Sequence, residues 1–208
     1  LAQTGMSEDE AHAVVALMDG LGLRDENGDL IEGFGGFRTI DDLTDEGAAK
    51  RAQDAIDDAE AQGKYVRGST LMDAGRRVIL LTQRSDVSTA AHEMAHVLRM
   101  IILDNPEFAA RRGIDSGMLS VIAREAGALV DETGGYVYDE AAEERFARMF
   151  ERYLLDGATH ADESMQGILD RLSQYMVEVY ERLYPKGELH PDMRQASPEM
   201  RAVFDQLI

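Results

Sequence analysis

The sequence predicts an α+β fold that is predominantly helical, with a small β-sheet or hairpin, and three observations carry that expectation. Apolar residues recur at three and four along several stretches bounded by glycine or proline, the period of a helix packed by one face. Two adjacent runs, Tyr65 to Met72 and Arg76 to Gln83, read as strands joined around Asp73-Ala74-Gly75, a turn of hairpin chemistry. Directly after them stands Ala91-His92-Glu93-Met94-Ala95-His96-Val97-Leu98. It is apolar around most of its circumference, as a core helix is, yet it carries two imidazoles and a carboxylate.

The elements follow in order. Ser7 precedes three acidic residues and an apolar stripe of Ala13, Val14, Leu17, Met18 and Leu21, which predicts a short capped helix. Asp25-Glu26-Asn27-Gly28-Asp29 reads as a turn. A calcium loop would need glycine where Leu30 stands. Gly33-Phe34-Gly35-Gly36-Phe37 lacks the lysine of a phosphate loop and reads as a connection or a bulged strand, so Gly28 to Ile40 is the expected flexible link. The expected division is an N-terminal helix and linker over residues 1–40 and a main domain with C-terminal helices over residues 41–208.

Thr44 to Gln62, rich in alanine and charge and closed by Gly63, predicts a solvated helix. After the hairpin, Asp86 or Ser88 can cap a helix from Val87 to Leu103. Pro106 then breaks the chain, Ser116 to Val130 reads as helical, and Gly134-Gly135 as a loop. Asp139 caps a helix from Glu140 to Leu155 with a core stripe of Ala142, Phe146, Met149, Phe150 and Tyr153. Ile168 to Leu183 forms a long amphipathic helix ended by Pro185, its stripe suited to core or partner contact.

The chain has 208 residues, enough to bury a real core. It carries 40 acidic against 21 basic residues, a formal charge of −19, which argues against nucleic-acid and anionic-membrane partners. There are no cysteines, so thiolate metal sites and disulfides are excluded. Neither a membrane span nor a signal peptide is evident, which makes the cytoplasm the expected location. The chain begins without methionine, which suggests a piece of a larger parent polypeptide.

The helix after the hairpin carries the chemistry. His92 and His96 are four apart, so both imidazoles leave one helical face toward one point, where a single Zn2+ can bridge them. Glu93 lies about 100° around the helix, placed to act as general base on water rather than to ligate. A catalytic zinc takes three protein ligands. A third histidine close behind the motif is absent, since Arg99 and Ile102 occupy the positions of the required glycine and histidine. A glutamate from a later helix must serve, and Glu140, Glu143 and Glu144 are the candidates. Helical periodicity places Glu143 beside the aromatic stripe and Glu144 on the opposite face with Glu140 and Glu151. His12, His160 and His190 read as structural, and the eleven methionines as adaptable packing.

Glu144-Arg145-Phe146-Ala147-Arg148-Met149-Phe150-Glu151-Arg152-Tyr153-Leu154 resembles the third-ligand helix of the glutamate-type zincins (gluzincin-like metallopeptidases), particularly the anthrax lethal factor-like peptidases. The run Asp86 to His96 and the run Ser197 to Asp205 resemble metallopeptidase domains within large polyvalent proteins of phages and mobile elements. The resemblance covers roughly residues 65–208. It implies a zincin-like metallopeptidase fold, Glu144 as the third zinc ligand, a bacterial or phage-encoded protein, and a tyrosine just before the ligand helix that hydrogen-bonds the oxyanion. Tyr138 and Tyr136 stand there, on either side of Val137.

The expected function is therefore a zinc-dependent endopeptidase acting on a protein or peptide substrate, with Glu93 activating water. A strand near the cleft can pair with an extended substrate, and Val78 to Leu81 is a candidate. Two rivals stand beside this: a catalytically inactive metal-binding structural or interaction module of a larger polyprotein, and a metal-free helical binding module.

Overall fold

The computed structural model describes residues 4–184, 189 and 193–208. Helix α1 (Glu8–Gly20) starts where Ser7 accepts from the Glu10 amide while the Glu10 carboxylate accepts from the Ser7 amide, a reciprocal cap that satisfies two free donors. The acidic loop beyond it is the expected turn, with Asp25 accepting from the amides of Asn27 and Asp29. The glycine-rich stretch is a bulged strand, β1 (Phe34–Arg38), with a register shift between Phe34 and Gly36. It is thus not a flexible link. Phe34 and the stripe of α1 lie in the same hydrophobic core as the helices beyond residue 41, so the boundary at residue 40 does not divide two cores.

A 3-10 turn (Ile40–Asp42) leads into α2 (Glu46–Ala61), capped by Asp45. The hairpin forms as expected from β2 (Gly68–Asp73) and β3 (Arg76–Leu81), paired antiparallel. Ala74 and Gly75 both take positive φ, 46° and 79°, as a two-residue hairpin turn of type I′ requires. β1 pairs with β3 in parallel, giving the order β1-β3-β2. Val78 to Leu81, a candidate for pairing with substrate, therefore has both edges occupied by its own sheet. The outer strands are β1 and β2.

Helix α3 (Val87–Val97) follows, with Asp86 rather than Ser88 as its cap. All eleven of its residues are buried, because α1, α6, α7, β2 and β3 pack around it. The expected continuation to Leu103 is present but changes winding: Leu98–Leu103 is a π-helical turn. Pro106 starts α4 (Pro106–Arg111), where its missing amide costs nothing, and Asn105 caps it. Helix α5 (Ser116–Ala126) stops short of the expected Val130, since Gly127 adopts φ 73° and ends it. Leu129–Val130 is instead β4, paired with β5 (Tyr136–Val137) across a turn that includes Gly134.

The remaining helices are α6 (Glu140–Leu155), capped by Asp139, α7 (Glu163–Leu183) and α8 (Pro198–Leu207), capped by Ser197. Leu169, Leu172, Met176, Val179 and Tyr180 of α7 face the core. Pro185, expected to end α7, lies outside the described residues, as does His190. Phe204 of α8 stacks edge-on against Phe146 and Phe150 of α6, at 5.8 and 5.2 Å between ring centres. Those contacts fix the rotation of α6 and hence of its other face. Among the described residues no helix is long and apolar enough to cross a membrane.

Ala74 is the one described residue other than glycine held at positive φ, a conformation that costs an L-residue about 1 kcal/mol. Ala74→Asn, which puts the favoured Asn-Gly pair into this turn, should raise stability by about 1 kcal/mol in chemical denaturation. An unchanged or lower midpoint would contradict the turn geometry.

Candidate metal centre

Helices α3 and α6 pack against each other, and both carry small buried residues, Ala91 and Ala95 on the first and Ala142 and Ala147 on the second. Across this interface the three expected ligands converge. His92 Nε2 and His96 Nε2 are 3.2 Å apart, Glu144 Oε2 is 3.5 Å from the first and Glu144 Oε1 is 3.3 Å from the second. A tetrahedral ion with bonds of about 2.0–2.1 Å separates its ligands by about 3.3–3.4 Å. The two imidazole nitrogens are already at that spacing and the Glu144 carboxylate faces both, one oxygen to each, so His92, His96 and Glu144 form a group able to hold a metal ion. The histidine side chains are nearly buried, whereas that of Glu144 is 48% exposed and faces an open cleft of about 550 Å³.

The outer nitrogens of both imidazoles meet carboxylates. Glu151 Oε2 stands 3.4 Å from His92 Nδ1, and Glu143 Oε2 stands 3.8 Å from His96 Nδ1. His92 Nδ1 makes no well-aligned hydrogen bond and is a buried polar atom with only the Glu151 carboxylate facing it. Glu151 is itself fixed: Ser88 and Tyr180 donate hydroxyl hydrogen bonds to Oε1, the latter at 2.5 Å, and Arg148 pairs with Oε2 at 3.0 Å. Arg99, buried, holds Glu143 with two nitrogens and Asp104 with a third contact at 2.9 Å. That clamp, on the outer side of His96, keeps Glu143 off the converging Nε2 atoms, and the group that could hold an ion includes Glu144. Glu140 is exposed at the start of α6.

Glu93 borders the cleft beside His92, and Thr70 of β2 donates to its Oε2 at 2.9 Å. The approach of β2 demands glycine at position 68, since a Cβ there would lie 2.7 Å from Thr89 Cγ2 and 3.2 Å from Glu93 Cγ. Tyr138 is half-buried with its ring under the Arg99 guanidinium, 4.4 Å from the centroid, and burial pushes its hydroxyl up to about 12. Tyr136 is exposed on β5. Neither lines the cleft; Tyr65, Tyr180 and Tyr184 do. Of the remaining histidines, His12 is exposed on α1 and His160 accepts from the Asp162 amide through Nδ1.

The charges are consistent with a site that attracts a cation. Burial opposes protonation of both imidazoles, yet the facing carboxylates outweigh it: Glu144 and Glu151 raise His92, and Glu143 and Glu144 bring His96 to about 9. Hydrogen bonds from His92 and His96 hold Glu144 well below the usual carboxylate range. Burial would raise Glu151, but His92 and the two hydroxyls keep it low.

The chain is mostly helical with a small sheet, and between two of its helices lies a group of three side chains that could hold a metal ion. Compared with family models, with curated proteins and with solved structures, the chain matches none. Its reading rests on the geometry of the site and on the sequence motifs.

Two outcomes follow. The metal-free chain keeps its histidine-derived stability below the free imidazole value of 6.5 and loses it as pH rises toward 9, because folding holds protons that the unfolded chain releases. Urea denaturation after chelation should show a fall on the order of 2 kcal/mol across that window. A flat profile would remove the coupling. Glu151→Gln should weaken metal binding roughly 10- to 100-fold in chelator competition, through loss of the carboxylate that orients His92.

Proposed function

We propose that this protein is a zinc-dependent endopeptidase of the glutamate-ligand type. The observation that carries the reading is the convergence of His92 Nε2, His96 Nε2 and the Glu144 carboxylate into one group able to hold an ion, with the fixed carboxylate of Glu93 beside them and a cleft open in front. Two imidazoles, one carboxylate and an open position suit zinc, which supplies Lewis acidity toward water and a peptide carbonyl when bound.

The chain's own residues divide the work. His92, His96 and Glu144 hold the ion, while Glu151 and Glu143 fix the two imidazole rings from behind. Glu93 takes a proton from the attacking water and returns it to the leaving amine. Thr70 keeps one Glu93 oxygen hydrogen-bonded, so the other is directed to the proton. β2, the outer strand beside Glu93, can pair with an extended peptide through main-chain groups, which suits a protein substrate without strict side-chain preference. The resemblance to lethal factor-like and polyvalent-protein peptidases agrees with this reading and with a role inside a larger polypeptide.

The test is elemental analysis of untagged protein together with hydrolysis of a quenched fluorescent peptide mixture. About one zinc per chain is expected in the wild type, in Glu93→Gln and in Glu143→Ala, and its loss in His96→Ala and Glu144→Ala. Hydrolysis should drop about 10²- to 10⁴-fold in Glu93→Gln with zinc retained. Undiminished hydrolysis in that variant would sink the proposal. Bound zinc in a wild type that cleaves nothing would leave a metal-binding module.

A further inference from the structure

The hairpin of β4 and β5 is built against the usual economy of burial. Leu129 faces Val137 and Val130 faces Tyr136 across it, so each face of the ribbon carries an apolar pair. All four are open to solvent, at 63, 46, 65 and 41%. They are four of the eight exposed large hydrophobic residues described in the chain, within nine positions, and that concentration marks a contact surface rather than scattered exposure.

A ribbon of two residue pairs has too little burial to hold itself. Here the backbone is fixed at its two ends instead. Asp131 locks the turn by accepting from the Thr133 amide and hydroxyl and from the Gly135 amide. At the base, Arg145 of α6 donates through Nε to Ala126 O at 2.6 Å. Among the described residues no further strand joins this sheet, so both outer edges present unpaired main-chain groups. A held, apolar, open-edged ribbon is ready to accept a strand.

The charge around it selects the partner. From Glu125 to Glu144 there is no lysine or arginine, and in sequence Asp131 and Glu132 follow β4 directly while Asp139 and Glu140 lie two and three positions beyond β5. Anionic membranes and a second copy of this −19 chain would both bring like charges together. We propose that the β4–β5 hairpin is a docking strand for an extended segment of a partner protein in which apolar residues alternate with lysine or arginine. The segment adds to a free edge by main-chain hydrogen bonds, seats its apolar side chains on one pair of the ribbon, and sets its cations against the flanking acids. This surface does not depend on the metal reading, since no residue of the metal centre belongs to it.

The experiment uses the full chain with a fluorescent ten-residue peptide alternating lysine and valine, followed by anisotropy, with a glutamate–valine peptide as control. Binding of the lysine–valine peptide that weakens with added salt, and weakens tenfold or more in Val130→Ser/Val137→Ser and in Glu132→Lys, is expected. Circular dichroism and the metal content of both variants should stay those of the wild type, which separates docking from folding and from the metal centre. No binding at millimolar peptide, equal binding of the glutamate–valine peptide, or equal binding by the variants would overturn the proposal. So would dimerisation of the free chain lost in Val130→Ser/Val137→Ser, or capture by phosphatidylcholine vesicles dependent on the same residues.

Discussion

Burying ionisable groups between two helices is the constraint on which the rest of this structure depends. His92, Glu93, His96, Arg99 and Glu151 are all less than a tenth exposed, and an isolated buried charge costs several kcal/mol. Each therefore has a partner, and the partners fix the surrounding elements. Glu151 binds Ser88 of α3 and Tyr180 of α7, joining three helices at one carboxylate. Arg99 binds Glu143 of α6 and Asp104 beyond the π turn. Thr70 ties the sheet to Glu93. The apolar core supplies the compactness, and this polar seam sets how α3 and α6 face one another.

The seam also explains why two adjacent glutamates act differently. Glu143 and Glu144 are a third of a helical turn apart, and both reach the histidines, one from behind and one from the open side. A buried guanidinium on the first leaves only the second with a free carboxylate facing the ring nitrogens. Two neighbours in sequence are thus set in different surroundings by one arginine.

Much of this was legible in the sequence wherever the signal is local. The His92/Glu93/His96 spacing, the caps at Ser7 and Asp139, and the hairpin turn at Ala74-Gly75 each depend on residues within a few positions. Glu144 was legible only through a resemblance, since periodicity places it on the polar face of α6. Glu151 was not legible at all as a buried group. Its burial is made by Ser88, 63 positions earlier, and Tyr180, 29 later, and no pattern within α6 announces it. Phe34 to Arg38 lacks alternation, and its strand character comes from parallel pairing with β3. Leu129 and Val130 continue an apolar run but follow Gly127, whose left-handed backbone ends the helix first.

The π turn after α3 has its own consequence. Five residues along an α-helix turn the chain by about 140° from where it began, nearly to the opposite face. Arg99 and Asp104 are five apart and yet paired, because the wider turn closes Asp104 N on Arg99 O at 3.2 Å. Chain length is therefore not interchangeable here: losing one residue between Leu98 and Leu103 would restore an α winding and swing Asp104 from Arg99, whereas the loop at Glu132 to Gly134 has no such phase to keep. Between the second histidine and Asn105 the chain is therefore held to one length as well as to one buried arginine, a constraint of winding that no side-chain contact alone would impose.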